Sequence, residues 1–519
     1  YHLLFGGFMK NKIIKGTLIL SVSSIIAKFL GIFFRWPLVM LIGDEGIGYY
    51  QMTYPLYMFF IGIVSGMPIA VSKFVSERSA YGDKESIVSI IKASLRIMIF
   101  LGVGTSIILL VFSNPIINLL KWDSKVYLCF IGISIAPISV CLLGVFRGVF
   151  QGMENMVPTG ISQIIEQIIR VVVGVSLAYL LLYKGIHYAA GGASFGAVIG
   201  GIIATVFIVI MYLKFSIKYF DGINRKNING RKYVGKILKI AIPLSLGATV
   251  STIMVLIDSI LVPQMLLNAG YTNREATVLY GQLTGKVSVI INVPLALAVA
   301  LGTSVIPTLS RLFVLNKMEE FKDKVIMCFK LSSYIAFPCF ISMYFLAYPI
   351  MNVIFPNNTD GYNILRYAAV SIPFIIFSQV SISILQSTNN YIRPVINLLI
   401  GCFIKVIVTL ILTGNSEFNI YGAVLATIFS YILTSYLNFS AIKKKLNINL
   451  NILDIIITPL FSSLLMIIIA LLSFDYFYKM SGSTVLSIFI CGIIGGIIYI
   501  LSLVLFKMRE LSSIFTSIK

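Results

Sequence analysis

Histidine is almost absent from the sequence, and this shortage limits the chemistry that the protein can perform. Only His2 and His187 are present, so neither a histidine-based catalytic triad nor a histidine-rich zinc site is expected. The six cysteines contain no Cys-x-x-Cys pair, and we interpret them as free thiols packed as small apolar side chains. Because no other catalytic constellation is recognisable, we predict that the protein is not an enzyme.

Charged residues are also scarce, which excludes an ordinary soluble domain. They make up 11% of the 519 residues, whereas soluble domains contain about 25%. The hydrophobic share is 58% and the mean hydropathy is +0.97. Apolar runs of about 20 residues, the length that crosses a bilayer, recur along the whole chain. The sequence therefore predicts an all-α polytopic membrane protein, since a transmembrane barrel would show short alternating segments.

Glycine, proline and polar residues divide the chain into about fourteen predicted spans. Residues 1–8 precede Met9, and we interpret them as an upstream extension or a cloning remnant. The spans run roughly over 14–42, 48–73, 87–112, 126–150, 158–183, 193–214, 237–266, 279–310, 326–348, 361–386, 394–413, 419–441, 453–474 and 484–506.

Basic residues outnumber acidic ones, 40 to 19, and they concentrate in alternate loops. The positive-inside rule then places both termini in the cytoplasm. The most basic loop lies between spans six and seven and contains Lys214, Lys218, Arg225, Lys226, Arg231, Lys232, Lys236 and Lys239. Contact with anionic lipid headgroups accounts for this charge, so no nucleic-acid partner is expected.

Matching features recur in the two halves of the chain in the same order. The pairs Pro55/Pro68 and Pro294/Pro307 are each 13 residues apart, and the pairs Gln151/Arg170 and Gln386/Lys405 are each 19 apart. Because equivalent spans are six apart, the halves insert the same way up, as parallel repeats do.

This repeat predicts two pseudo-symmetric six-helix lobes. They cover residues 9–220 and 237–445, are joined by a basic linker at 221–236, and are followed by two more spans in 446–519. Parallel repeats favour a transporter with its substrate site between the lobes and alternating access. A channel or a purely structural protein is the alternative.

The charges predicted to lie deep in the spans are mostly positive. The basic ones are Lys28, Arg35, Arg170, Lys286 and Lys405, and the acidic ones are Glu166 and Asp258. A charge facing lipid at the bilayer centre costs about 2.5–3.5 kcal/mol, so these residues must face a cavity or pair with each other. Glu166 and Arg170 are four residues apart on one helix and are expected to form a structural pair. The remaining excess of cations predicts a positively charged cavity for an anionic substrate.

The glycine-rich run GGASFGAVIGG, residues 191–201, resembles a phosphate-binding loop only superficially. It lacks the Gly-Lys-Ser/Thr ending of such loops and lies in an apolar span. Gly192, Gly196 and Gly200 recur every four residues, which is typical of a surface where two membrane helices pack closely. We therefore predict a helix-packing role for them.

Two stretches carry a resemblance to a known family. They are KGTLILSVSSIIAKFLGIFFRWPLVMLIGDEGIGYYQMTYPLY and NVPLALAVALGTSVIPTLSR. They resemble the polysaccharide-transport branch of the multidrug/oligosaccharidyl-lipid/polysaccharide exporter superfamily, and most of all its stage V sporulation protein B group, which is related to the lipid II flippases. The resemblance implies a fourteen-helix protein that moves an undecaprenyl-diphosphate-linked sugar, such as a peptidoglycan precursor, from the inner to the outer leaflet.

The same resemblance implies roles for individual residues. A cationic central cavity would hold the diphosphate-sugar head, and a groove by the last two helices would hold the lipid tail. Lys28 and Arg35 match cationic positions on the family's first helix, and Lys286 corresponds to a cationic residue on the family's eighth helix. Some members bind sodium through helices seven, eleven and twelve. By this resemblance Asp258 is the candidate coupling-ion ligand for Na⁺ or H⁺, although helix eleven offers no acid, only polar groups such as Asn397.

The leading hypothesis is a flippase that binds the diphosphate with Lys28, Arg35, Arg170, Lys286 and Lys405. One alternative is a drug or cation antiporter of the same superfamily, for which twelve spans and an acidic cavity are expected. Another is a non-transporting scaffold of the cell-wall or sporulation machinery, whose function would survive neutralisation of these charges. Cell-wall synthesis proteins are expected partners, and no cofactor other than a coupling ion is expected.

Overall fold

The computed structural model describes residues 2–221, 230–388, 390–446 and 453–517. Within these ranges, the side chains of residues 2–19, 21, 25, 28, 29, 32, 247, 251, 303, 304, 307, 453, 454 and 506–517 are not described. The described chain is helical almost throughout and contains no strand, which confirms the predicted all-α fold.

Nineteen α-helices, α1 to α19 in chain order, form the described chain. Their bounds are His2–Val64, Gly66–Ala80, Lys84–Val111, Ser113–Leu119, Tyr127–Ser134, Ala136–Gly152, Val157–Leu181, Ile186–Tyr219, Arg231–Asn268, Asn273–Gly281, Ser288–Val314, Met318–Phe345, Ala347–Ile354, Tyr362–Ala368, Ser371–Ser387, Ile392–Val408, Asn419–Leu446, Thr458–Ser481 and Thr484–Ser517. Short π-helical turns cover Gln282–Val287, Thr409–Thr413 and Leu453–Ile457.

Twelve helices of the described chain are long and apolar enough to cross a membrane, and the bent pair α14–α15 makes a thirteenth. The predicted number of about fourteen is roughly consistent with this. The predicted turn after the first span is a kink inside α1 rather than a loop, because Gly43 takes a left-handed backbone conformation with φ 62° that interrupts one long helix. The described chain is therefore a multi-pass membrane protein.

The chain divides into two compact units. The first contains Tyr1–Gln264 and Tyr271–Gly281, and the second contains Met265–Gly270 and Gln282–Lys519. Most of α9, which the repeat assigns to the second half, thus belongs to the first unit. The predicted lobes 9–220 and 237–445 stay a prediction. Residues 222–229 of the predicted linker, 447–452 and 518–519 lie outside the described residues, as does residue 1 of the predicted extension.

Glycines bring α8 into close contact with α7 in the first unit. A Cβ atom at Gly196 would lie 2.5 Å from Gly174 Cα, and one at Gly200 would lie 2.5 Å from the Glu166 carbonyl oxygen. One at Gly192 would lie 2.9 Å from the Leu177 carbonyl oxygen. The predicted packing surface is confirmed, and it fixes the part of α7 that carries Glu166 and the functional residues around it.

Replacing Gly196 by alanine is expected to destabilise the protein. The new methyl group would lie 2.5 Å from Gly174 Cα and 2.8 Å from the Arg170 carbonyl oxygen, so α7 and α8 must separate at a cost of about 1–3 kcal/mol. A lower midpoint of thermal unfolding in detergent would show this.

The matched control is Gly104→Ala on α3, where a Cβ meets nothing within 4 Å. Its unfolding midpoint should stay unchanged or rise, since alanine favours a helix more than glycine does. Equal losses in the two variants would contradict the packing role of Gly196.

Candidate functional site

Arg170 of α7 is buried in the first unit, and aromatic side chains of α1 enclose it. Its side chain is 8% exposed, and its Nη2 atom donates a hydrogen bond of 2.6 Å to the Tyr50 hydroxyl. The guanidinium carbon lies 5.0 Å from the Tyr54 ring centroid, 5.4 Å from that of Phe34 and 6.0 Å from that of Tyr57. We call Phe34, Tyr50, Tyr54 and Tyr57 the aromatic cage. Contacts with aromatic faces stabilise a cation away from water.

Arg35 of α1 contacts the same ring. Its guanidinium carbon lies 5.6 Å from the Tyr54 centroid, and its side chain is half-buried. Two guanidinium groups therefore share one tyrosine. Among the described side chains, no carboxylate lies within ion-pair distance of either group, and Arg170 Nε has no hydrogen-bond partner there. Such a pair favours an anion, because arginine presents several donors in a planar fork.

The cage follows from local sequence spacing and from the kink in α1. Tyr50, Tyr54 and Tyr57 are four and three residues apart, so they lie on one face of the helix. Phe34 precedes the kink at Gly43 and the tyrosines follow it, and both parts of α1 contact the same guanidinium. These tyrosines were not among the predicted site residues, although their helical spacing was the available signal.

The predicted pair of Glu166 with Arg170 is wrong. Glu166 pairs instead with Arg147 of α6 at 2.8 Å, and Arg147 Nε also donates to Ser162 Oγ at 3.0 Å. The spacing of four residues on α7 allows a pair but does not require one, and the cage directs Arg170 towards α1. Arg147 was missed because it lies close to the end of its predicted span. As a result, Glu166 is neutralised without reducing the charge at Arg35 and Arg170.

The other predicted ligands are on other helices or have side chains that the structure does not describe. The Lys28 side chain is one of those not described. Lys286 is in the second unit, is fully buried in a π-helical turn, and donates from Nζ to Asn358 Oδ1 at 2.9 Å. Lys405 is in the second unit and is buried on α16, while Asp258 lies on α9 in the first unit. Their roles in binding substrate or ion stay predictions.

A metal centre built from strong ligands is not found in the part of the chain that the structure describes. There, no group of three or more His, Cys, Asp or Glu side chains is placed to hold a metal ion. The predicted coupling role of Asp258 stays a prediction.

Together, the many apolar helices define a polytopic membrane protein, and half-buried Arg35 and buried Arg170 place two positive charges close together in its first unit. The model of the family described as "Polysaccharide biosynthesis protein" matches residues 13–313, more than half of the chain. The chain therefore belongs to this family, which confirms the resemblance to the polysaccharide-transport branch of the exporter superfamily.

Similar proteins agree with this assignment. Over 451 residues the chain is 25% identical to stage V sporulation protein B of Bacillus subtilis (strain 168), covering 85% of this chain and 86% of that protein. Over 459 residues it is 26% identical to the lipid II flippase MurJ of the same organism, covering 84% and 83%. A solved structure of lipid II flippase MurJ, in an inward closed conformation, superposes with a TM-score of 0.71 at 18% identity, covering 95% of this chain and 100% of that one. The fold is thus that of a transporter of this superfamily.

A double-mutant cycle distinguishes the observed ion pair from the predicted one. Arg147→Ala and Glu166→Ala should be strongly non-additive in their effect on stability, because the two side chains are in direct contact. Residues in one hydrogen-bonded network typically couple by about 0.5–3 kcal/mol. The cycle of Glu166→Ala with Arg170→Ala should give a smaller coupling. Thermal unfolding of the single and double variants measures both, and the reverse order would contradict the pairing described above.

Proposed function

We propose that the protein translocates a lipid-linked sugar with a diphosphate head from the inner to the outer leaflet of a bacterial plasma membrane. The observation that carries this proposal is that the guanidinium groups of Arg35 and Arg170 both contact the Tyr54 ring. The nearby Glu166 carboxylate forms its ion pair with Arg147 instead. The sequence similarity to a protein named as a lipid II flippase supports a lipid II-like cargo. The similarity to a sporulation protein supports a role in making the cell wall or the spore envelope.

In this proposal the two arginines bind phosphate oxygens as bidentate donors. The aromatic cage holds the Arg170 guanidinium in place before the substrate arrives, so little ordering is required when the anion binds. Lys28, Lys286 and Lys405 are proposed to add positive charge at other stages of the cycle. The polyprenyl tail stays in the lipid while the protein alternates between inward and outward access.

The direction of transport is proposed to follow the membrane potential. With the inside negative and both termini in the cytoplasm, each negative charge moved outward gains about 2.3 kcal/mol per 100 mV. Asp258 is proposed to bind Na⁺ or H⁺ during the return step. Anionic lipids are the proposed partners at the cytoplasmic face. Cell-wall synthesis proteins are the proposed protein partners.

The antiporter alternative is less compatible with the site, because paired guanidinium groups repel a cationic drug. The scaffold alternative requires no anion site, so substitution of the arginines distinguishes it from transport.

Arg35→Ala and Arg170→Ala should each slow translocation at least about tenfold, since a charge-assisted hydrogen bond contributes about 1.5–3 kcal/mol. The measurement is the appearance of a lipid-linked sugar in the opposite leaflet of vesicles that contain the purified protein. Lysine at either position should preserve part of the rate, because the charge remains while the planar fork is lost.

The matched control is Arg393→Ala, which removes an exposed arginine at the start of α16 and should leave the rate unchanged. Full activity of the double variant Arg35→Ala/Arg170→Ala at equal protein content would overturn the proposed anion site.

An imposed membrane potential should accelerate translocation towards the positive side and slow it in the other direction. The expected change follows from the gain of about 2.3 kcal/mol per charge and 100 mV. Vesicles with a potassium gradient and a potassium ionophore provide the potential, and reversing the gradient provides the control. A rate that does not depend on the potential would contradict net movement of negative charge.

A further inference from the structure

We propose that Gln163 and Gln167 of α7, with Ser24 of α1, form a subsite that binds sugar hydroxyl groups of the transported head. We call these three residues the amide subsite. The inference rests on the proposed function and adds to it a place for the sugar, next to the arginines that would bind the diphosphate.

The first observation is the register of α1 against α7. Ser24 Oγ donates to Gln163 Oε1 at 3.2 Å. Further along, the Cβ position at Gly31 is 3.9 Å from Gln167 Oε1, and Phe34 contacts Arg170. The two glutamines and Arg170 therefore follow one another along the side of α7 that lies against α1.

The spacing suits a sugar beside a diphosphate. Gln163 and Arg170 are seven residues apart, which corresponds to about 10 Å along the helix axis. This distance is comparable with the length of one or two sugar rings. A head whose diphosphate contacts Arg35 and Arg170 can thus extend its sugar along α7 towards Gln163.

The second observation is open space beside the amide of Gln167. Gly31 has no side chain, and among the described residues the Gln167 amide oxygen is the one atom within 4 Å of where its Cβ would be. No hydrogen bond joins the Gln167 amide to another described residue. No described side chain therefore fills the space next to the Gly31 Cβ position, and this space is bordered by an amide that has no hydrogen-bond partner in the described part of the chain.

The third observation is the contrast between two sides of α7. Ile161, Ile168 and Val172 are exposed by 40%, 43% and 56%, as expected for side chains that face lipid. Gln163 and Gln167 are half-buried and lie on a different side. A half-exposed amide inside a bilayer is expensive unless it faces water or a polar ligand. The side with the glutamines therefore faces a polar space.

The chemistry of these side chains suits a neutral polyhydroxyl ligand. Each amide offers two donors and one acceptor oxygen, and the serine hydroxyl can donate and accept. Sugar hydroxyls also donate and accept, so they can satisfy such groups in pairs. A phosphate would leave the amide oxygens without donors, which assigns the phosphates to the arginines and the sugar to the amides.

Two lipids that differ only in the sugar test this assignment. Undecaprenyl diphosphate and the same lipid carrying a disaccharide are each titrated onto the purified full-length protein in lipid nanodiscs. The wild type should prefer the sugar-bearing lipid. Gln167→Leu should reduce this preference about tenfold, the effect of losing one or two hydrogen bonds, and should leave the affinity for undecaprenyl diphosphate unchanged. Arg35→Ala should weaken the binding of both lipids.

A second variant blocks the space without removing an amide. Gly31→Leu should also reduce the preference for the sugar, because its side chain would occupy the space beside Gln167. Gly104→Leu on α3, where the added Cβ also meets open space, is the matched control and should keep the preference. Thermal unfolding of each variant shows whether the protein is folded, and Gln167→Asn serves as a milder substitution in case leucine is not tolerated.

The outcomes separate the subsite from the function on which it rests. If the wild type binds neither lipid, the proposed function fails and the subsite fails with it. If the wild type binds both lipids but the Gln167 and Gly31 variants keep the sugar preference, the subsite is wrong and the proposed function stands. An equal loss of affinity for both lipids would show that these residues only hold α1 against α7, and this also overturns the subsite.

Discussion

The structure of the first unit depends on one buried cation that is stabilised without an acid. An unpaired charge away from water is costly, and aromatic faces and one hydroxyl acceptor from α1 offset that cost for Arg170. This arrangement requires both parts of the kinked α1 to contact α7. It also requires α8 to hold α7 in position, which the glycines at Gly196 and Gly200 allow. The site and the packing of three helices are thus one interdependent structure.

The neighbouring acid shows how the charge of the site is preserved. Glu166 is four residues from Arg170 in the sequence, yet its carboxylate pairs with Arg147 from another helix. A carboxylate paired with Arg170 would have neutralised the group that we propose binds phosphate. The separation leaves two guanidinium groups around Tyr54, an arrangement compatible with the anionic cargo that we propose.

Some features of the site could be predicted from sequence, and others could not, for a consistent physical reason. The spacing of Gly192, Gly196 and Gly200 predicted their packing, because the shape of one helix face depends on local sequence alone. The depth of Arg35 and Arg170 followed from hydropathy in the same way. The partner of Glu166 could not be inferred, because a residue four positions away and one on a neighbouring helix are both within reach.

By itself, the sequence determined that this chain is an all-helical membrane protein of an exporter family with an excess of positive charge inside its spans. Hydropathy, glycine spacing and family motifs are properties of local sequence, and an apolar segment that crosses a bilayer must form a helix to satisfy its backbone hydrogen bonds. Only the tertiary structure decided that the first turn is a kink, that Glu166 pairs with Arg147, and that Tyr54 contacts two arginines. Those outcomes depend on how helices distant in sequence pack together, and side-chain pairing across helices is not encoded in any one of them.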